Sequence, residues 1–223
     1  MFLEVIATSL QDIEKINKSE ANQVELCTAM EFGGYTPRYE LIAEACKLSL
    51  KPVMVMVRNN NRFNVTDSDF EVFKKDIAFI KTTHASGIVC GILTEDNSVD
   101  IERMSEIIKI AKPLKVTFHR VFDEITNKKQ ALQQLVKLGV TTVLTSGGKN
   151  NIINNINNFK MLKKLKLPIR ILAGGGVNLE NINILLTNGI NDIHVGKCVH
   201  ENNSFANQIN YQIINKIKHM DKK

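Results

Sequence analysis

The sequence predicts an α/β protein, a parallel (β/α)8 barrel of the TIM type formed by one domain over residues 1–223. Short apolar runs rich in Val and Ile recur about every 25 to 30 residues. The segments between them start near Ser, Thr, Asp or Asn and carry a helical period. There are eight such runs, the number that closes a barrel. A doubly wound open sheet is the alternative, but its GxGxxG turn is missing after the first run.

The runs, in order, are Leu3 to Ala7, Gln23 to Cys27, Val53 to Arg58, Ile88 to Leu93, Lys115 to His119, Thr142 to Ser146, Ile169 to Ala173 and Asp192 to Gly196. Helical spacing is clearest in Phe70, Phe73, Ile77 and Ile80, and in Ile101, Met104, Ile107, Ile108 and Ala111. Leu138-Gly-Val140 and Asn188-Gly-Ile190 read as helix stops leading into strands. The Asn-rich stretch from Asn150 to Asn158 belongs with the sixth helix, which follows through Phe159, Met161, Leu162 and Leu165.

Barrel strands alternate between an apolar outer face under the helices and an inner face that tolerates polar groups near the mouth. Val53, Val55 and Val57 take the outside of the third run, which turns Met54, Met56 and Arg58 inward. The same parity points Glu4, Glu25, Cys27, His119, Ser146 and His194 inward. Buried charge requires pairing, so Glu4, Glu25 and Arg58 are expected to form an ion-pair cluster. Beside His119 and His194 the carboxylates suit either general acid/base chemistry or a divalent metal.

Gly174-Gly175-Gly176 ends the seventh run and His194-Val-Gly196-Lys197 the eighth, where barrels hold phosphate on backbone amides and a helix N-terminus. Asn178 is placed to cap the following helix. Leu144-Thr-Ser-Gly-Gly148 forms a similar turn after the sixth run. For a soft metal the candidates are Cys27 and the Met54/Met56 pair, since thiolate and thioether suit Cu(I). Cys46 and Cys90 read as structural, and Cys198 as exposed.

The four cysteines are widely spaced and form no CxxC, so reduced thiols are expected. The formal charge of +6 is spread over helix surfaces, apart from a basic stretch from Lys216 to Lys223. No run interleaves aromatics with Arg, which argues against nucleic acid. Neither a leader nor a membrane-spanning apolar run is evident, so a cytoplasmic protein without a membrane partner is expected. A homodimer is the prior for a small barrel.

Six motifs stand in register along the chain: Val24-Glu-Leu-Cys27, Glu31-x-Gly33-Gly34-x-Thr36-Pro37, Val55-Met-Val-Arg58, Thr117-Phe-His119-Arg120-x-Phe122-Asp123, Leu144-Thr-Ser-Gly147 and Gly174-Gly-Gly176. In that order the chain closely resembles the CutC copper homeostasis family over nearly its whole length. The resemblance implies a TIM-type barrel, a cytoplasmic location and Cu(I) handling, with Cys27 as the metal candidate. It also implies that Glu25, Arg58, His119, Arg120, Asp123 and the glycine triplet belong to the mouth. The chain departs from the family pattern in three places. Ile6 stands where relatives often carry a first-strand Cys, Asn59-Asn60-Asn61-Arg62 replaces a Pro-Arg-Gly-Gly-Asp loop, and His194-Val-Gly-Lys197 replaces His-x-Ser-x-Arg.

Two functions follow from these residues. One is Cu(I) binding near the C-terminal mouth of the barrel. The other is an enzyme acting on a small anionic or phosphorylated metabolite, with Glu25, Arg58, His119 and Asp123 as catalytic candidates. Glu4, Arg120, Ser146, Gly174, Gly175, Gly176, His194 and Gly196 are then candidates to bind the ligand.

Overall fold

A computed structural model describes residues 1–149 and 151–220. Asn150 and the last three residues of the basic C-terminal stretch therefore lie outside the described residues. Eight parallel strands close into a barrel in sequence order. They are β1 (Phe2–Ala7), β2 (Gln23–Leu26), β3 (Val53–Met56), β4 (Gly87–Cys90), β5 (Lys115–Phe118), β6 (Thr142–Thr145), β7 (Arg170–Ala173) and β8 (Asp192–Val195). The pairing of β1 with both β2 and β8 rules out the open sheet.

Between them run α1 (Leu10–Asn17), α2 (Tyr39–Leu48), α3 (Asp67–Ile80), α4 (Ile101–Ala111), α5 (Lys128–Leu138), α6 (Ile156–Lys164) and α7 (Ile182–Thr187), with α8 (Tyr211–His219) closing the ring. Their starts follow the expected chemistry. Ser9, Asp100 and Asn127 each accept an amide of the first turn, and Thr66 forms a capping box with Asp69. Gly139 ends α5 in the left-handed region at φ 94°, a conformation that favours glycine. Among the described residues no helix is long and apolar enough to cross a membrane.

Strand parity separates two apolar cores. Leu3, Val5, Val24, Val55, Ile88, Phe118, Val143 and Ile193 pack outward into the main core under the helices. Ile6, Cys27, Met54, Met56 and Val89 form a smaller cluster inside the barrel, joined by Met30 and Phe205. Most expected strands run one to three residues too far at their C-terminal ends. Cys27, Arg58, His119, Ser146 and Gly196 lie just past the last ladder positions, where side chains reach the mouth. Cys198 is buried rather than exposed, because it lies in a 3₁₀ turn (Lys197–Val199) that packs into the main core.

An inward glycine on β4 makes room for this interior. A Cβ on Gly87 would lie 2.4 Å from Met54 Cε and 2.5 Å from the Lys115 carbonyl oxygen. Met54 can swing away, but the neighbouring strand's backbone cannot. Gly87→Ala is therefore expected to destabilise the barrel by about 1–3 kcal/mol, the usual cost of overpacking. Urea denaturation checks this, and an unchanged midpoint would contradict the packing argument.

Candidate functional site

The strands deliver their polar side chains to one end of the barrel, where a cavity of about 960 Å³ opens. Its walls include Glu25, Arg58, His119, Arg120, Asp123 and His194, with Gly175, Gly176 and Gly196 along the loops. Glu4, Cys27, Ser146 and Gly174 sit behind this surface and support it.

At the floor, Glu4 on β1 stands between its neighbours on β2 and β8. His194 Nδ1 lies 2.7 Å from Glu4 Oε1, and the other oxygen of Glu4 accepts from the Gln23 side-chain amide. Both oxygens thus act as acceptors, so His194 donates from Nδ1 and presents Nε2 to Glu25 Oε2 at 3.7 Å. Glu25 Oε1 is buried without a partner among the described residues. Burial pushes the Glu25 carboxyl up to about 7, helped by the negative charge of Glu4 and opposed by His194. For His194, burial pulls the pKa down, but Glu25 and the bond to Glu4 outweigh it and hold the imidazole above its usual value.

This cluster replaces the expected ion pairing of Glu4 and Glu25 with Arg58. Parity puts all three groups inside, but Arg58 is turned away toward the loop after β2. Its Nη1 donates to the carbonyls of Phe32 at 2.8 Å and Gly34 at 3.2 Å. Its guanidinium carbon lies 5.3 Å from the Tyr35 ring centroid and 5.4 Å from that of Phe63. The Arg58 backbone also binds Thr36 in both directions, N to Oγ1 and O from N. Two distant sequence motifs are therefore one contact, an arginine clasping the Gly33-Gly34-x-Thr36 loop.

His119 is buried, and its pKa is pulled down to about 3, first by burial and then by Arg58. It is a neutral imidazole at physiological pH, with Nδ1 accepting from the Val121 amide. Asp123 accepts from the Ser146 amide and hydroxyl, from the Thr145 hydroxyl and from Arg120 Nε. Its carboxylate is saturated, so it ties the loop after β5 to the end of β6 and orients Arg120.

The glycine triplet is shaped by neighbouring side chains. A Cβ on Gly174 would meet Leu144 Cδ1 at 2.7 Å and His194 Cδ2 at 3.0 Å, and one on Gly175 would meet Arg120 Cζ at 2.7 Å. The triplet does not run directly into a helix N-terminus as expected. Asn178 instead caps a turn, accepting from the amides of Glu180 and Asn181, and α7 begins only at Ile182. The physical reason is the Asn178–Asn181 pair, whose side chains each bind the other's backbone amide and hold a non-helical turn.

Just past the end of β2 Cys27 is fully buried, and its Sγ lies 3.2 Å from Met30 Sδ. Burial and the nearby charges of Glu25, Glu4 and Asp12 push its thiol well above the ordinary range. Met30 was not among the sequence candidates, since it lies in a short 3₁₀ turn (Met30–Phe32) with no strand parity to orient it. Its position three residues after Cys27 was the only available signal. Gln23, the partner of Glu4, was also missed, although its inward parity matches that of Glu25.

A family model described as the CutC family matches residues 1–199. Among curated relatives, the family protein CutC of Proteus mirabilis is 38% identical over 179 residues, covering 79% of this chain and 71% of that protein. The crystal structure of the proposed copper homeostasis protein CutC from Streptococcus agalactiae superposes with a TM-score of 0.83 at 31% identity, covering 88% of this chain and 98% of that one. Thiamine phosphate pyrophosphorylase from Pyrococcus furiosus, with a TM-score of 0.66 and 12% identity, covers 99% of this chain and 95% of its own, and shares the fold alone.

The raised Glu25 pKa makes a signed prediction for stability. Folding favours the protonated carboxyl, so this contribution is full below the unfolded value of 4.5 and is lost as pH rises through about 7. Glu25→Gln removes the buried charge at every pH. In metal-free protein the variant should therefore gain several degrees in Tm over the parent at pH 8, and much less at pH 5. Thermal melts at the two pH values check this, and a gain confined to pH 5 would reverse the assignment.

Proposed function

The chain belongs to the CutC family, and from that premise we propose a cytoplasmic copper-homeostasis protein that takes Cu(I) at Cys27 and Met30. The observation that carries this reading is that the two sulfurs adjoin, 3.2 Å apart, so that a separation of about 1 Å would admit an ion between them at metal–sulfur distances of about 2.3 Å. Thiolate and thioether are soft donors suited to Cu(I), and Met56 packs in the same interior cluster. Ile6, which the resemblance sets against the family's first-strand cysteine, packs in that cluster too, and Met30 would supply the second sulfur. The copper-homeostasis description of the Streptococcus agalactiae relative supports the assignment.

The electrostatics suit the exchange. Burial and three nearby carboxylates keep a proton on Cys27, and both penalise a bare thiolate. Replacing H⁺ by Cu⁺ leaves the buried charge unchanged, so the same environment accepts the metal. Met30 lies on the cavity wall and gives the ion a route to the buried thiol. In a Cu(I) titration of the reduced protein against a chromogenic chelator, one equivalent should bind. Cys27→Ser should lose more than the roughly 10–100-fold typical of removing an outer-shell partner, and Met30→Leu should weaken binding measurably. Equal affinity in Cys27→Ser would remove copper from this site.

A second reading is favoured by Glu25, whose carboxyl near pH 7 borders the cavity with one oxygen unpartnered. A general acid/base is most effective when its pKa lies near the working pH. Arg120, aligned by Asp123 and Ser146, would hold a small anionic or phosphorylated ligand beside the glycine triplet, with neutral His119 as a further hydrogen-bonding wall. Inorganic phosphate should then raise Tm in the parent and not in Arg120→Ala. Identical melting of the two across a phosphate titration would sink this reading.

A further inference from the structure

We propose that His194 and Glu25 bind a borderline divalent cation of the Zn²⁺ class at the floor of the cavity, with Glu4 as the positioning residue behind the imidazole. The three groups come from adjacent strands, β8, β1 and β2, and their ligand atoms lie within 4.8 Å of one another. Glu4 holds His194 through Nδ1, which leaves Nε2 facing Glu25, where a cation would take the place of any proton on that nitrogen. A carboxylate behind a histidine in this way fixes the tautomer that ligates metal.

The distance from Nε2 to Glu25 Oε2, 3.7 Å, is too long for a hydrogen bond. It fits two donors sharing one ion, each at about 2.0–2.2 Å. An independent sign is Glu25 Oε1, which is buried without a partner among the described residues in a residue only 2% exposed. An orphaned buried acceptor is costly, and a cation on this carboxylate would satisfy it. Neither nearby guanidinium reaches this oxygen: Arg58 points its Nη1 at the Phe32 and Gly34 carbonyls and Arg120 pairs with Asp123. Two buried carboxylates thus share one imidazole.

One imidazole nitrogen and a carboxylate make a borderline-to-hard ligand set, which selects Zn²⁺ or its congeners over Cu(I). Glu25 and His194 both border the cavity, so the remaining coordination positions open to water or to a ligand oxygen. This site shares no ligand with the Cys27–Met30 pair, and it stands or falls independently of the copper reading.

The test uses reduced full-length protein stripped of metal by a chelator and titrated with Co²⁺, a coloured substitute for Zn²⁺, with Cys27→Ser in parallel. One equivalent should bind with d–d bands and no sulfur-to-cobalt charge-transfer band, identically in Cys27→Ser, and Zn²⁺ should displace it. His194→Gln and Glu25→Gln should abolish the spectrum, and Glu4→Gln should weaken binding about 10–100-fold. No saturable binding by the parent, a thiolate charge-transfer band, or undiminished binding in His194→Gln would each overturn the proposal. The parent spectrum alone decides the ligand type if a variant does not fold.

Discussion

The contact between His194 and Glu4 joins the last strand to the first, and the geometry of the site follows from it. Closing the barrel brings β8 beside β1 and places the two buried side chains 2.7 Å apart. A buried carboxylate needs donors, and here it has the imidazole on one oxygen and Gln23 on the other. That arrangement decides which imidazole nitrogen faces the cavity and which group meets Glu25. Gly174 shares the dependence, since a side chain there would strike the ring that Glu4 positions.

Around that floor the wall is built from contacts between distant motifs. Arg58 and the Gly33-Gly34-x-Thr36 loop hold one another, and Asp123 gathers Thr145, Ser146 and Arg120. These residues bring side chains into the mouth while committing much of their hydrogen bonding to structure, although Arg58 Nε has no partner among the described residues. The groups left with chemistry are fewer. Among them are Glu25 with its orphaned oxygen, His194 with its inward nitrogen, and the sulfur pair of Cys27 and Met30 at the end of β2.

Much of this was legible in the chain because barrel closure enforces a period of two. Val53, Val55 and Val57 must be apolar against the helices, so the orientation of Met54, Met56 and Arg58 followed without a structure, as did that of Glu4, Glu25 and His194. Parity gives a direction but neither a height in the barrel nor a position around it. Of the two groups expected beside the carboxylates, His194 stands there through barrel closure, whereas Arg58, adjacent in strand order, turns to the loop after β2. Strand ends were also drawn too long, because apolar character continues through Val57 and Ile92 after the ladder has stopped. Met30 was out of reach for a different reason, lying in a turn where no periodicity orients a side chain.

The central claim is that soft and hard donors occupy separate places in one barrel, sulfur at Cys27 and Met30, nitrogen and oxygen at His194 and Glu25. X-ray absorption of the protein loaded with one equivalent of Cu(I) tests it most directly. The account predicts a first coordination shell of sulfur alone. A shell containing imidazole nitrogen or carboxylate oxygen would place copper at His194 and Glu25 and contradict the separation.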